Sequence, residues 1–490
     1  SCGCPSQVAV PGIFTSSLPF DYGGYNEGIR HRPYSFVEVL QNSGYQTFGV
    51  TTCHWFSSHY GANRGFDQFT PLFDLNPWFS KCYAFQLEEP LVRWKSGQTS
   101  DASICEFLCS EYGSILLRTL EFLNDQERAG VEQRGRSRAR WRPLRSIITP
   151  QDVNAERELL SNDPLVVAEK LAIMGSYLHL ALGKRAADGR LLARMARQTA
   201  WRNRINRRIS LVSQRRAYEA NVVNGQVGNH IKKDLRQPFF ALIHYFDLHE
   251  ARLLIPHLTM RRLTRLPIDV FRAMNSRPKG LRGRLYDIGL SNIDRRIGEL
   301  LRLFERRGLS DNTVFLITAD HGKETGVPPR GAGSDLSHFF TDDFLHVPFI
   351  VAGPNINPET VDSLMSHLDL APTILELAEL ESPPESLGLP LSRRRREPAD
   401  YVMSENAGRG RCDLDEKTLY LAVRTNEIKV VFEASNFLPR ERDVFDLRSD
   451  PNELKNLHET NAFREEREFC SMIVRNRLDT LRRSVVPTSA

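Results

Sequence analysis

Apolar positions along this chain keep two different rhythms. Short unbroken runs at residues 44–52, 239–246, 314–317 and 347–351 are rich in β-branched and aromatic side chains. Runs of that length read as strands buried on both faces, as in a parallel sheet. Between them the spacing turns helical. Leu108, Tyr112, Leu116, Leu120 and Leu123 form one stripe, and Leu285, Ile288, Ile293, Ile297, Leu301 and Phe304 form another that Gly308 closes. Residues 34–43 predict a short helix, Asp163-Pro164 opens one that stops at Gly183, and Asp369 opens one that ends near Leu380. Residues 61–69 read as a turn. Strand, helical insert, strand, helix, strand is the order a right-handed crossover lays down in parallel.

The last hundred residues differ. Runs 419–423 and 429–433 predict an antiparallel hairpin, 446–457 an acidic turn, and a helix ends the chain. The expected architecture is α/β: a three-layer, mostly parallel sheet with helices on both faces. A basic helical insertion spans about 100–236 within a unit of residues 1–392, and residues 393–490 make a small α+β subdomain joined through the basic run 392–396.

Length supports this division, because 490 residues exceed one ordinary domain. No apolar run approaches the roughly 18 residues of a membrane span. The eight cysteines include no paired CxxC zinc pattern; Cys2 and Cys4 are open to either a disulfide or free thiols, so the compartment is not assigned. The net charge of +5 conceals an uneven distribution. Between 190 and 216, Arg194, Arg197, Arg202, Arg204, Arg207, Arg208, Arg215 and Arg216 surround a stripe of Leu192, Met195, Ile205, Ile209 and Val212. A solvated helix face and a polyanion-binding face both fit, and no base-reading motif accompanies the charge.

Candidate chemistry sits where the apolar runs stop. The run 314–317 leads to Asp320, His321 and Gly322. In open α/β sheets ligands bind at the carboxyl ends of strands, and a hard oxygen beside an imidazole suits a divalent cation. An Asp-His-Gly turn that merely caps the next element is the alternative. The run 239–246 likewise ends at His249, and the Gly/Pro/Ser-rich loop after Gly322 holds His338. Near the start, small and hydroxyl residues precede a helix-like stretch, so Ser6 can face an anion at a helix N-terminus or serve only as an N-cap.

Six stretches in order carry a resemblance. GYQTFGVTTCHWFSSHYGANRGFDQF (44–69), PFFALIHYFDLHEAR (238–252), DNTVFLITADHG (311–322), LHVPFIVAGP (345–354), SHLDLAPTILELAEL (366–380) and VFDLRSDPNELKNL (444–457) are similar to the sulfatase family of the alkaline phosphatase superfamily. The resemblance skips residues 100–235. It implies a metal-dependent hydrolase of sulfate esters with Asp320 and His321 as metal ligands, His249 as a contact to the ester oxygens or leaving group, and His338 as another substrate or metal histidine. It implies Ca²⁺ or Mg²⁺ as the cation and an anionic ester as the substrate. Such a substrate is a sulfated or phosphorylated glycan, lipid or small molecule.

Two departures qualify it. Formylglycine sulfatases need Pro or Ala two residues after the nucleophile and Arg two further on. Ser6 is followed by Gln7-Val8-Ala9-Val10 and fits neither spacing. SCGCPSQVAVPGIF instead resembles the nucleophile turn of phosphoethanolamine transferases. That implies an unmodified Ser6, phosphoryl transfer, and Zn²⁺ or Mn²⁺. The superfamily's acidic pair, expected before the nucleophile turn, does not occur in the sequence given, which reads as N-terminally truncated. His54, His59, His244 and His346 are expected to be structural; His54 and His59, which follow a strand, are the first exceptions to consider. Arg64 and Lys323 are candidates to hold the anion.

Overall fold

The computed structural model describes residues 1–72, 86–128, 150–175, 220–232, 235–249, 281–323, 339–408 and 411–485. The arginine-rich stretch 190–216 and His338 therefore lie outside the described residues.

The first helix, α1 (Ser6–Thr15), is buried along its entire length. Its sequence, SQVAVPGIFT, has no charge and no polar stripe, and a helix apolar all round is stable only in a core. One face, Ala9, Val10, Ile13 and Phe14, packs with α2 (Phe36–Asn42) and a later helix. The opposite side, at Val8, joins the core of the C-terminal sheet. Ser35 and Glu38 form a capping box that starts α2. Between these helices, Arg32 is buried and donates to the carbonyls of Gly28, Leu18, Pro19, Asp21 and Gly24 and to the Ser17 hydroxyl at 2.6 Å. Burial lowers its pKa to about 10, with Asp21 opposing the shift. One guanidinium thus ties a loop with no ladder of its own.

Strands β1 (Gln46–Thr51), β2 (Gln68–Pro71) and β3 (Phe239–Ile243) make a parallel sheet in the order β2-β1-β3. The strand at 68–71 is an addition to the expected turn: Phe69 and Thr70 have no hydrophobic run of their own, and pairing with β1 makes the strand. The insertion forms helices α3 (Glu88–Lys95), α4 (Asp101–Arg128), α5 (Pro150–Asn162) and α6 (Pro164–Gly175). Leu108, Tyr112 and Leu116 of α4 meet Val153, Leu160, Val167 and Leu171, so the insertion has a core of its own. Asp163 caps α6 by accepting from Val166 N at 3.2 Å.

Helix α7 (Ala220–Lys232) instead packs Val223, Val227 and Ile231 on β1 and on α8 (Leu281–Arg306). β4 (Phe315–Thr318) follows α8. Its ladder partner among the described residues is β5 (Phe349–Ala352), and the pairing is antiparallel. β4 is also only half-buried. Parallel and antiparallel pairing leave the same apolar run, so the run alone does not discriminate.

After the short helix α9 (Asp342–Leu345), α10 (Leu370–Leu377) returns to the α1 core. Residues 392–396, expected as a linker, belong to helix α11 (Leu391–Arg396), and Arg394 pairs with buried Asp369 at 2.9 Å. Strands β6 (Val402–Asn406), β7 (Leu419–Arg424), β8 (Ile428–Ser435) and β9 (Leu438–Asp446) form an antiparallel sheet in chain order, crossed by α12 (Arg464–Val485). Its core takes in Val8, Phe20 and Tyr25 from the N-terminal segment. Glu405 of β6 accepts from Phe20 N at 2.8 Å and pairs with Arg477 of α12 at 2.6 Å.

Two expectations follow. Arg32→Met leaves six acceptors short of a donor and should cost roughly 3 kcal/mol or more; urea unfolding midpoints check this, and a change below about 0.5 kcal/mol refutes the role. His367 is buried and donates Nε2–H to Ala319 O at 3.0 Å, and burial pushes its pKa down to about 3. The unfolded chain therefore binds a proton that the folded chain refuses between pH 6.5 and 3. Stability from this residue is complete above about pH 6.5 and falls by up to about 1.4 kcal/mol per unit below it. His367→Gln, which retains a donor, should flatten that slope in urea titrations at several pH values.

Candidate active site

α1 begins at Ser6 with Pro5 as the N-cap residue, so Ser6 occupies the first helical position and is not the N-cap. Its side chain is free to face outward from the helix start. Ser6 Oγ lies 3.3 Å from His321 Nε2. His321 Nδ1 is 2.6 Å from the Gly322 carbonyl, which can only accept, so Nδ1 carries the proton. In the neutral ring Nε2 then offers a lone pair on the Ser6 side.

Asp320 Oδ1 accepts from His321 N at 2.9 Å, and Oδ2 is 3.8 Å from His321 Nε2. Burial pushes the Asp320 carboxyl up, but His321, His244 and a hydrogen bond from Ser6 outweigh it and hold the pKa below the usual range. The carboxylate is thus charged within a mostly dry site. Serine hydroxyl, carboxylate and imidazole come together from chain positions more than 300 residues apart.

The neighbouring strand end adds two histidines. His244 follows β3 directly and continues its ladder through His244 N to Val50 O at 2.9 Å. The Thr52 hydroxyl donates to the His244 carbonyl and meets Nδ1, both at 3.0 Å. Burial pushes the His244 pKa down, against the attraction of Asp320. His244, expected to be structural, is anchored by Thr52, and its field also reaches Asp320.

His249 stacks flat on Phe246 with centroids 4.3 Å apart, and its carbonyl receives the Lys323 ammonium. That contact places the turn 247–249 beside the turn 320–323. Lys323 here binds a backbone carbonyl.

The other candidates are placed elsewhere. Arg64 pairs with Glu38 at 2.8 Å and donates to the Arg32 and Pro33 carbonyls, so it braces α2 and is not directed at an anion. His59 lies buried against Tyr60, and burial pushes its pKa well down; His54 packs on Trp55. Both belong to the aromatic core behind β1. Cys2 and Cys4 are free and buried, and burial pushes both thiols up.

Asp320 oxygen, His321 Nε2 and the Ser6 hydroxyl suit a divalent cation as one side of its coordination shell. Among the described residues no group of three or more His, Cys, Asp or Glu side chains assembles around one point. Nor is any described helix long and apolar enough to cross a membrane.

Comparison with known proteins finds similarity over part of this chain. The sequence model of the Sulfatase family matches residues 218–380, which include β3, β4 and both metal-ligand candidates. A choline-sulfatase of Rhizobium meliloti is 31% identical over 184 residues, covering 36% of this chain and 33% of that protein. Arylsulfatase K of Bos taurus is 27% identical over 216 residues, covering 39% and 37%. These matches take in about a third of the curated relatives' length. Among solved structures, a sulfatase-like protein of Bacteroides thetaiotaomicron superposes with a TM-score of 0.52 at 14% identity, covering 98% of this chain and 83% of that one. Proteins of this family generally use a divalent metal ion. With a parallel α/β sheet, an Asp-His pair at a strand end and a hydroxyl facing it, the chain is similar to the sulfatase family over residues 218–380 and shares its fold with a solved sulfatase-like structure.

Proposed function

We propose that this chain hydrolyses sulfate esters at a site composed of Ser6, Asp320, His321, His249 and His338. The observation that carries the reading is the Ser6 hydroxyl 3.3 Å from His321 Nε2, beside a half-buried Asp320. Asp320 and His321 would hold the cation, Ca²⁺ or Mg²⁺. When bound, it supplies positive charge that neutralises the ester's oxygens and lowers the pKa of the attacking hydroxyl. Residues 1–392 act as the catalytic unit and residues 393–490 as a small subdomain packed against its N-terminal segment.

In this reaction Ser6 Oγ gives up its proton to solvent water and bonds to sulfur as the bond from sulfur to the ester oxygen breaks. The departing oxygen takes a proton from protonated His249 or His338, and the alcohol leaves. Water then cleaves the sulfated serine at sulfur, returning the Ser6 hydroxyl and hydrogen sulfate, and the histidine regains its proton from solvent. His321, His244 and the Ser6 hydroxyl, acting against burial, favour the ionised form of Asp320 and so its attraction for a cation. The substrate is an anionic ester, a sulfated glycan, lipid or small molecule.

A second reading has its own support. Ser6-Gln7-Val8-Ala9-Val10 lacks the residues that formylglycine formation requires, so Ser6 stays a serine. A sulfated serine is slow to hydrolyse, and a serine alkoxide suits phosphoryl transfer better, with Zn²⁺ or Mn²⁺. Turnover of aryl sulfate and aryl phosphate with each cation separates the two. Preference for phosphate, with a phosphorylated Ser6 trapped in mass spectra, selects the second.

Ser6→Ala should lower kcat by at least roughly 10³-fold under either reading while the melting temperature stays unchanged. Full activity in that variant rejects Ser6 as nucleophile. Chelation with EDTA should abolish turnover, and titrating the cation back should restore it. In His321→Ala the restoring concentration should rise by about 10-fold or more. Turnover that is indifferent to chelation removes the metal from the mechanism.

A further inference from the structure

The side chain of Lys429 is completely buried, an uncommon state for a lysine. It stands on β8 of the C-terminal sheet and spends all three ammonium protons on protein acceptors. These are the Phe340 carbonyl at 2.9 Å, Glu453 Oε1 at 2.5 Å and Asp342 Oδ1. Asp342 also meets Arg424 at 3.3 Å, and its backbone N–H donates to Glu453 Oε2 at 2.7 Å. Glu453 is buried and adopts a left-handed φ of +57°, a conformation non-glycine residues keep only when their surroundings enforce it. Burial pushes the Asp342 carboxyl up, yet Lys429 and Arg424 hold it below its usual range. Asp342 is thus pinned from three sides by the C-terminal subdomain.

What Asp342 holds is the backbone against which the site turn rests. Gly322 N donates to the Phe344 carbonyl at 2.7 Å. A Cβ on Gly322 would sit 2.1 Å from the Asp343 carbonyl oxygen, so the two segments touch with no slack. The Gly322 carbonyl in turn accepts from His321 Nδ1 at 2.6 Å, which fixes the ring whose Nε2 faces Ser6. Every link from the C-terminal sheet to the imidazole is a direct contact.

We propose that Lys429 is a positioning residue for the active site: through Asp342 and the 342–344 backbone it sets the orientation of His321 toward Ser6. The C-terminal sheet is then part of the catalytic apparatus without touching substrate. This inference rests on the reading of Ser6 and His321 as the reacting site.

The test compares wild type with Lys429→Met, with the charge-neutral Asp342→Asn/Lys429→Met/Glu453→Gln, and with Arg424→Met. The triple variant leaves no unpaired buried charge if the single one fails to fold. Arg424 is a quarter exposed, and its loss removes one of Asp342's two cations. The readouts are kcat and KM on the better aryl ester, and the His321 ring signals in ¹H–¹⁵N NMR, identified by their loss in His321→Asn. Expected are shifted His321 signals in every folded variant and a fall in kcat of about 10- to 100-fold in the triple variant, with KM within about twofold. Arg424→Met should move the same signals less. Unmoved His321 signals and wild-type kcat in the folded variants would overturn the proposal. If wild type hydrolyses neither ester, the sulfatase reading fails alone, because the NMR signals report the ring's position without turnover.

Discussion

One helix with no polar face sets the layout of this molecule. α1 has all ten of its residues buried, and it reaches that state only by being enclosed from two sides. The α2 and α10 side supplies one wall and the C-terminal sheet supplies the other, with Val8 and Phe14 in separate cores. Space at its surface is closed: a Cβ on Gly12 would lie 2.6 Å from Cys2 Sγ, and one on Gly3 would lie 2.6 Å from the Glu405 carbonyl. A helix clamped this way has no freedom to slide. The nucleophile candidate at its first residue inherits that rigidity, as a preorganised site requires.

The partner of Ser6 is held by a different device. Asp320 and His321 leave a short strand with one ladder neighbour among the described residues, and a half-buried two-stranded unit is weakly constrained by itself. The turn compensates with contacts outside the ladder. His367 binds Ala319 O from one side, Phe344 O receives Gly322 N from another, and Lys323 reaches the carbonyl of His249. Packing across the turn, more than the strand, determines where the imidazole points.

Buried charge recurs at each joint. Arg32 ties the loop before α2, Glu405 with Arg477 ties β6 to α12 and to Phe20, and Lys429 ties β8 to the segment beside the site. Removing such groups from water is expensive, and hydrophobic replacements of equal shape are often as stable. What these pairs add is register. Each has a unique set of acceptors, so a slipped arrangement would strand a charge, whereas a slipped apolar contact would cost little.

Much of this was legible in the chain. The strands at 46–51, 239–243 and 315–318 announce themselves as apolar runs, the helices at 101–128 and 281–306 by their stripes, and α6 by its cap. Asp320 and His321 stand out because a strand end is where an open α/β sheet places its chemistry, and six ordered motifs carry the resemblance to sulfatases. Those signals are local, and periodicity and capping are properties of neighbouring residues. The partner of β4, the helix at 391–396, the bracing role of Arg64, the reach of His244 toward Asp320 and the burial of Lys429 are not local. Each depends on which residues, often a hundred or more positions away, arrive within a few ångströms, and one-dimensional spacing carries no record of that. The sequence alone determined the type of fold and one wall of the proposed site; only the tertiary structure decided what stands opposite that wall, because contact and burial exist only once the chain is packed.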